Sequence, residues 1–119
     1  MKAVNLKEKF SLIEEFWDPK IIAQLNDYHV KIARIQGEFV WHSHPETDEL
    51  FFVVDGSLTL RLREGDLVLK EGELCVIPAG VEHKPVAASP CQIMMLEPAG
   101  TLNTGDAGGE RTQEDVAWI

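Results

Sequence analysis

The chain contains 119 residues and carries a formal net charge of −9, from 11 basic and 20 acidic residues. This length fits one compact domain and leaves no room for two of ordinary size. The acidic balance argues against nucleic acid as a partner, because binding to phosphates needs a basic surface, and equally against docking on anionic lipid. A composition of 45% hydrophobic and 26% charged residues is near the globular average, which excludes wholesale disorder.

The sequence lacks the apolar segments that a membrane span or a secretory signal requires. Its uncharged apolar runs are only a few residues long, and its N-terminus leads into a charged stretch. Cys75 and Cys91 lie in apolar, strand-like runs, so we interpret them as reduced, buried thiols. A disulfide between them would require the two strands to be neighbours. The sequence therefore predicts a cytoplasmic protein that does not bind membranes.

The spacing of apolar residues predicts one short helix near the N-terminus, at about residues 6–16. Asn5 precedes this run and Glu8 follows three residues later, in the pattern of a capping box. Pro19 ends the run, since proline disfavours a helical conformation in the residue before it. The apolar residues that we expect to face the core from this helix are Leu6, Phe10, Ile13 and Trp17.

Residues 20–97 have the pattern of short strands separated by turns. The segment 57–63 alternates leucine with polar residues, which is typical of a half-buried strand. Turn-forming pairs such as Asp55-Gly56 separate the runs. Many short strands at nearly regular spacing predict an all-β sandwich or barrel. The predicted strands span residues 20–25, 28–35, 38–43, 49–54, 57–63, 66–70, 73–77, 83–87 and 91–97.

The character of the sequence changes after Pro98, which predicts a barrel domain at residues 1–98 and a tail at residues 99–119. The tail is rich in glycine and polar residues and has no periodicity, which is typical of a mobile or loosely draped segment. Its apolar end, residues 116–119, favours docking on a surface instead. Both alternatives stay open at the level of sequence.

Three of the four histidines fall in two short segments. His42 and His44 are two residues apart on a predicted strand, which places both imidazoles on the same face. Glu49 opens the next strand after a turn, so a hairpin would bring its carboxylate alongside them. His83 follows a Pro-x-Gly turn, where the chain reverses into another strand. Three neutral imidazoles and one carboxylate that converge on one point suit a divalent transition metal.

Each histidine also has an ordinary interpretation. A lone histidine on a strand is usually a surface or core residue, and a His-x-His pair alone is weak evidence for a metal site. The addition of Glu49 and His83 in this order makes coincidence a poor explanation. His29 has the opposite parity to Tyr28 and Val30, so we interpret it as a surface residue outside the site.

These residues resemble the two motifs of small, single-domain bacterial cupins of the conserved-barrel type. The first motif, G-x5-H-x-H-x3,4-E-x6-G, matches Gly37, His42, His44, Glu49 and Gly56. The second motif, G-x5-P-x-G-x2-H-x3-N, matches Gly72, Pro78, Gly80 and His83. The sequence departs from the motifs at two positions, since Gly37 lies one residue closer to His42 and Ala87 replaces the final asparagine. Neither departure affects a ligand position.

The resemblance implies an all-β cupin fold, a double-stranded β-helix or jelly-roll barrel closed around a pocket, with a short N-terminal helix. It also implies one divalent transition metal ion per chain, held by His42, His44, Glu49 and His83. Imidazole and carboxylate ligands leave the metal open among Fe, Mn, Ni, Zn, Co and Cu. The flanking sequence resembles cupins often labelled mannose-6-phosphate-isomerase-like. We interpret that likeness as kinship only, because the barrel offers few basic groups for a sugar phosphate.

Alternation along the strands predicts an apolar wall around the metal. The predicted pocket residues are Val40, Phe51, Val53, Ile77 and Met94, and a plain core role is the alternative for all but Phe51 and Met94. Such a pocket suits a small-molecule ligand that is mainly apolar or enol-like. No general base stands out, so the catalytic residues stay unassigned. We expect a metal-dependent enzyme of dioxygenase or isomerase type; the alternatives are a non-catalytic ligand-binding or sensing module and a vestigial site.

The resemblance also implies a homodimer, since cupins commonly pair through strands near their N-termini. Residues 20–25 would be the edge available for this pairing. A small molecule and a second copy of the chain are therefore the partners that we predict.

Overall fold

The computed structural model describes residues 1–119 and contains one helix and seven strands. Helix α1 spans Leu6–Ser11, and at this length it cannot cross a membrane. The strands are β1 (Lys20–Leu25), β2 (Tyr28–Glu38), β3 (Glu49–Asp55), β4 (Ser57–Leu62), β5 (Gly65–Lys70), β6 (Leu74–Ile77) and β7 (His83–Pro98). The all-β fold predicted from the sequence is confirmed.

The long strand β7 joins the two halves of the barrel. Its second half lies between β2 and β3, in the strand order β1-β2-β7-β3-β6. Its first half pairs with β4, which in turn pairs with β5. All pairs between these strands are antiparallel. The strands predicted at residues 83–87 and 91–97 are thus one strand, which keeps β2 on one side while its partner on the other side changes from β4 to β3.

Alternate residues of the strands fill the barrel interior. Leu58 and Leu60 of β4 are fully buried, as the alternation in residues 57–63 predicts. They belong to an apolar cluster of 12 buried residues that forms the main core. A second cluster packs α1 against the barrel and consists of Phe10, Ile13, Ile22 and Ile32. Burial of these side chains supplies the main driving force for folding.

Helix α1 ends at Ser11 rather than at residue 16. Its beginning follows the prediction, since the Asn5 side chain accepts a hydrogen bond from the Glu8 backbone N–H over 3.0 Å. After Ser11 the chain contacts β2: the Trp17 backbone N–H donates to the Arg34 carbonyl over 2.8 Å. The Trp17 indole N–H donates to a second β2 carbonyl, also over 2.8 Å. These tertiary contacts outweigh the helical pattern of the sequence.

The strand predicted at residues 38–43 is absent, because β2 ends at Glu38. The chain beyond it makes one isolated bridge, in which His42 and His83 exchange backbone hydrogen bonds of 3.0 and 2.9 Å. Residues 39–48 therefore form a connection between β2 and β3 with little regular pairing. We call residues 39–48 the ligand loop, because His42 and His44 lie in it.

Residues 99–119 lie against the barrel. At the C-terminus, the Ile21 N–H donates to the Ala117 carbonyl over 2.9 Å, and the Ile119 N–H donates to the Ile21 carbonyl over 3.0 Å. This pairing occupies part of the outer edge of β1, the edge predicted for dimer contact. Nearer the ligand loop, Asp106 is hydrogen-bonded to Ser43. The apolar C-terminal residue thus docks on the barrel, where Ile119 packs against the cluster beneath α1.

Both cysteines are free thiols. Cys91 is buried in the main core, and burial raises the pKa of its thiol to about 11. Cys75 is half-buried and packs against the same core. A thiol with a raised pKa is protonated and unreactive near neutral pH, so Cys91 acts as a small apolar core residue.

Candidate metal centre

The structure brings the four predicted metal ligands together. One ligand atom from each of His42, His44, Glu49 and His83 lies within 4.8 Å of the others, and all four residues are buried. Glu49 is the first residue of β3, His83 is the first residue of β7, and both other histidines come from the ligand loop. His29 lies outside this cluster, half-buried with its ring edge-to-face against Trp118.

Backbone carbonyls orient two of the imidazole rings. Nδ1 of His42 lies 2.8 Å from the Val40 carbonyl oxygen, and Nδ1 of His83 lies 2.9 Å from that of Val81. Because a carbonyl oxygen can only accept, these partners assign the proton of each neutral ring to Nδ1. The other nitrogen, Nε2, then carries a lone pair that is free to bind a metal.

Three ligand atoms at the cluster are buried without a hydrogen-bond partner: Nε2 of His44, Oε1 of Glu49 and Nε2 of His83. The two nitrogens lie 3.3 and 3.5 Å from the Glu49 oxygen. Unsatisfied polar atoms in a protein interior are costly. A divalent cation would satisfy all three atoms at once, so these residues could hold a metal ion.

The electrostatics of the cluster favour the metal-binding forms of its members. Burial, and then the neighbouring His83, lowers the pKa of His42 to about 4, so its ring is neutral near pH 7. Burial alone would raise the pKa of Glu49, but the neighbouring side chains of Glu97, His44 and His83 hold it below its ordinary value. Neutral imidazole and ionised carboxylate are the states that coordinate a metal.

A second buried carboxyl group, that of Glu97, stands next to Glu49. Oε1 of Glu97 accepts a hydrogen bond of 2.9 Å from the Lys31 ammonium, which also donates to the Thr101 carbonyl over 3.1 Å. Burial, and then Glu49, raises the pKa of Glu97 well above its ordinary value, although Lys31 opposes the shift. We therefore assign a proton to Oε2 of Glu97, an atom that has no hydrogen-bond partner in the structure and could donate to Glu49.

The sequence prediction includes neither Glu97 nor Lys31. Both are almost fully buried, at 2% and 3% exposure. The available signal was strand parity, since Glu97 shares the inward parity of Ile93 on β7 and Lys31 shares that of Ala33 on β2. Charged residues at inward positions of a barrel strand indicate a buried polar network.

A mostly apolar cavity adjoins the cluster. His42 and Glu49 form part of its wall, so a molecule in the cavity would lie beside two metal ligands. Glu97 and Asn103 also line it, and the lining contains no lysine or arginine. The remaining lining residues are Trp17, Pro19, Ala33, Ile35, Phe39, Phe51, Pro85, Ile93 and Met95. The cavity therefore combines an apolar body with a small polar region at the cluster.

The five residues predicted to wall the pocket are distributed over three places. Phe51 lines the cavity. Val53 and Ile77 lie in the main apolar core and do not line the cavity, which is the core role given as their alternative. The other two predicted residues, Val40 and Met94, lie elsewhere.

The structure corrects the predictions for Val40 and Met94. Because β2 ends at Glu38, the alternation of its side chains does not continue to His42, and Phe39 rather than Val40 lines the cavity. Met94 points to the outer face of β7 and packs against the cluster beneath α1. Its neighbour Met95 lies on the inward face and lines the cavity.

The fold and the cluster together define a small antiparallel β-barrel with three histidines and one glutamate in its interior. The model of the cupin domain family, Cupin_2, matches residues 29–97. The chain therefore belongs to the cupin family.

Known proteins similar to this chain support the family and extend over different parts of it. A cupin-2 domain protein from Shewanella frigidimarina is 48% identical, with a TM-score of 0.80 over 81% of this chain and 94% of that chain. YdbB from Bacillus subtilis is 39% identical over 53% of this chain. A protein named 3-hydroxyanthranilate 3,4-dioxygenase 2 from Aspergillus fumigatus is 37% identical over 51% of this chain. The matched regions span only 57% and 35% of the lengths of these two curated relatives.

Proposed function

We propose that the protein is a metal-dependent enzyme of dioxygenase type that acts on a small organic molecule. The observation that best supports this function is that His42 and Glu49 belong to the cluster of predicted metal ligands and also line the cavity. A redox-active divalent metal, when bound, supplies the chemistry that lets molecular oxygen react with an organic substrate. The name of the Aspergillus fumigatus relative is consistent with this class of reaction.

The cavity lining restricts the class of substrate. It contains no lysine or arginine, although the Arg111 guanidinium lies 5.6 Å from the ring centroids of both Trp17 and Phe39. Trp17 and Phe39 stack with their ring centroids 4.9 Å apart and offer apolar surface to a flat molecule. We therefore propose an uncharged aromatic or enol-like substrate with two adjacent oxygen or nitrogen donors.

Residues of this chain would bind the substrate, exclude water and handle its protons. The apolar lining keeps bulk water from the cluster, which strengthens electrostatic interactions there. Glu97 is the one titratable side chain in the lining apart from the metal ligands. It would exchange a hydrogen bond with a hydroxyl or amino group of a substrate bound beside Glu49.

Oxygen consumption tests this proposal. The protein is loaded with Fe2+ under argon and then mixed with oxygen and a panel of uncharged substrates, such as catechol and 2-aminophenol. We expect the uptake of one O2 per substrate converted, with both oxygen atoms in the product, and loss of uptake in His83→Ala. Conversion of a substrate under argon would indicate an isomerase instead. A metal-loaded protein that is stabilised by a ligand it leaves unchanged would favour the binding or sensing module.

The homodimer and the cytoplasmic location stay predictions. The C-terminal residues use both backbone hydrogen-bonding groups of Ile21, so a second copy that approaches β1 would meet them as well as the strand. We therefore propose that a dimer contact at this edge includes the C-terminal residues.

A further inference from the structure

Ser43 lies between two of the metal ligands and is held by a residue from the far end of the chain. Its backbone N–H donates to Oδ1 of Asp106 over 2.7 Å, and its hydroxyl donates to Oδ2 over 3.1 Å. In return, the Asp106 N–H donates to the Ser43 carbonyl over 3.0 Å. Every hydrogen-bonding group of Ser43 is thus paired with Asp106. Because Ser43 separates His42 from His44, these bonds fix the backbone from which both imidazoles project.

Gly105 brings the same segment into close contact with the ligand loop. A Cβ atom at this position would lie 2.2 Å from the Ser43 carbonyl oxygen and 3.1 Å from Nδ1 of His44. The backbone at Gly105 also has a φ of 51°, in the left-handed region that favours glycine. The loop and the segment are therefore packed backbone to backbone, with no room for a side chain between them.

The segment is itself well anchored. Thr104 is fully buried. The Asn103 side chain donates to the Arg111 carbonyl over 2.8 Å and accepts from the Gln113 N–H over 2.9 Å, while it also lines the cavity. We call residues 103–106 the latch. Its contacts give the latch the rigidity needed to restrain another part of the chain.

We propose that the latch is a structural part of the metal centre and that Asp106 is a positioning residue for His42 and His44. Apart from single backbone bonds at Phe39 and His44, the ligand loop pairs with β7 only at the isolated bridge between His42 and His83, so regular strand pairing does not hold the two histidines. The latch supplies that restraint through Ser43. This inference rests on the proposed binding of a metal by the cluster. Outer residues that orient metal ligands typically contribute about 10- to 100-fold to metal affinity.

The test compares the Co2+ affinity of full-length variants by competition with a chelator. Gly105→Ala forces a Cβ against Ser43, and Asp106→Ala removes the two side-chain bonds to Ser43 while it keeps the backbone bond. We expect both to weaken Co2+ binding by about 10- to 100-fold. The matched control is Gly108→Ala, because Gly108 also has a positive φ, of 62°, but has nothing within 4 Å of an added Cβ. We expect it to bind Co2+ as the unchanged protein does.

Two further measurements separate positioning from general damage. Asp106→Asn keeps an acceptor for the Ser43 N–H and a group that can pair with its hydroxyl, so we expect it to restore most of the affinity lost in Asp106→Ala. Hydrogen exchange of the metal-free protein should show faster exchange at the Ser43 amide in Asp106→Ala than in Asp106→Asn. If Gly105→Ala does not fold, the comparison of Asp106→Ala with Asp106→Asn tests the proposal instead.

The outcomes distinguish the latch from the metal site itself. Tight Co2+ binding by the unchanged protein and equal binding by Gly105→Ala and Asp106→Ala would overturn the latch and leave the proposed function standing. Equal loss in Gly108→Ala would also overturn it, because the effect would then come from backbone strain alone. Failure of the unchanged protein to bind Co2+ would contradict the metal-dependent function, and the latch with it.

Discussion

Replacing His83 with alanine is expected to remove most of the stabilisation that a divalent metal gives to the folded protein. His83 is fully buried, and its Nε2 atom lies 3.5 Å from the Glu49 carboxylate with no hydrogen-bond partner. A metal at a hundredfold excess over its Kd stabilises a folded protein by about 2.7 kcal/mol. For a domain of this size, that free energy corresponds to a rise in Tm of roughly 10 °C. Loss of one of four ligands should abolish most of this rise.

Thermal unfolding with and without Ni2+, followed by circular dichroism, measures this effect. His29→Ala is the matched control, because His29 is a histidine that lies outside the cluster beside Trp118. We expect His29→Ala to keep the full metal-dependent rise in Tm. A full rise in His83→Ala would contradict the assignment of the metal to this cluster.

Removal of the Glu97 carboxyl group is expected to destabilise the metal-free protein strongly. Lys31 is 3% exposed, and its ammonium donates a hydrogen bond of 2.9 Å to Oε1 of Glu97. Glu97→Met leaves the buried Lys31 ammonium with the Thr101 carbonyl as its remaining acceptor, and an unsatisfied buried donor typically costs about 1–3 kcal/mol, or more when it is charged. Urea denaturation at pH 7 in the presence of a chelator measures the loss in the free energy of unfolding.

The variant Glu97→Gln tests where the proton lies in this network. An amide can accept from Lys31 and donate to Glu49, as a protonated Glu97 does. We therefore expect Glu97→Gln to stay within about 1 kcal/mol of the unchanged protein at pH 7. A loss as large as that of Glu97→Met would show that Glu97 is ionised in the folded state.

The pH dependence of the difference in stability between Glu97→Gln and the unchanged protein gives an independent check. Because the folded state raises the pKa of Glu97 above its ordinary 4.5, the stability that its proton contributes is fully present below that value. It is lost as the pH rises through the raised pKa. Glu97→Gln has no such proton to lose, so its stability relative to the unchanged protein should increase with pH. A difference that stays constant with pH would contradict the raised pKa.

The ligand set was predictable because short-range sequence order determines it. The His-x-His spacing, the turn before Glu49 and the Pro-x-Gly turn before His83 are local features, and each is recognisable without the rest of the fold. The alternation of leucines in residues 57–63 likewise predicts the buried face of β4 because it depends only on strand periodicity.

The sequence predictions are wrong where long-range contacts, rather than the local sequence pattern, determine the structure. Helix α1 is shorter than its apolar spacing suggests, since Trp17 binds β2. Val40 does not line the cavity, because the periodicity of β2 ends at Glu38 before it reaches the histidines. The latch has no periodic pattern, and its bonds to Ser43 join residues 63 positions apart. Contacts of this kind depend on the folded barrel and leave no signature in a single sequence.

The central claim is that His42, His44, Glu49 and His83 hold one divalent metal ion per chain. Elemental analysis of protein purified without chelator tests it most directly, when it is compared with a variant that carries both His42→Ala and His83→Ala. We predict close to one transition-metal ion per chain in the unchanged protein and nearly none in the variant. Equal metal content in the two proteins, or an unchanged protein that neither retains nor takes up a transition metal, would contradict the claim.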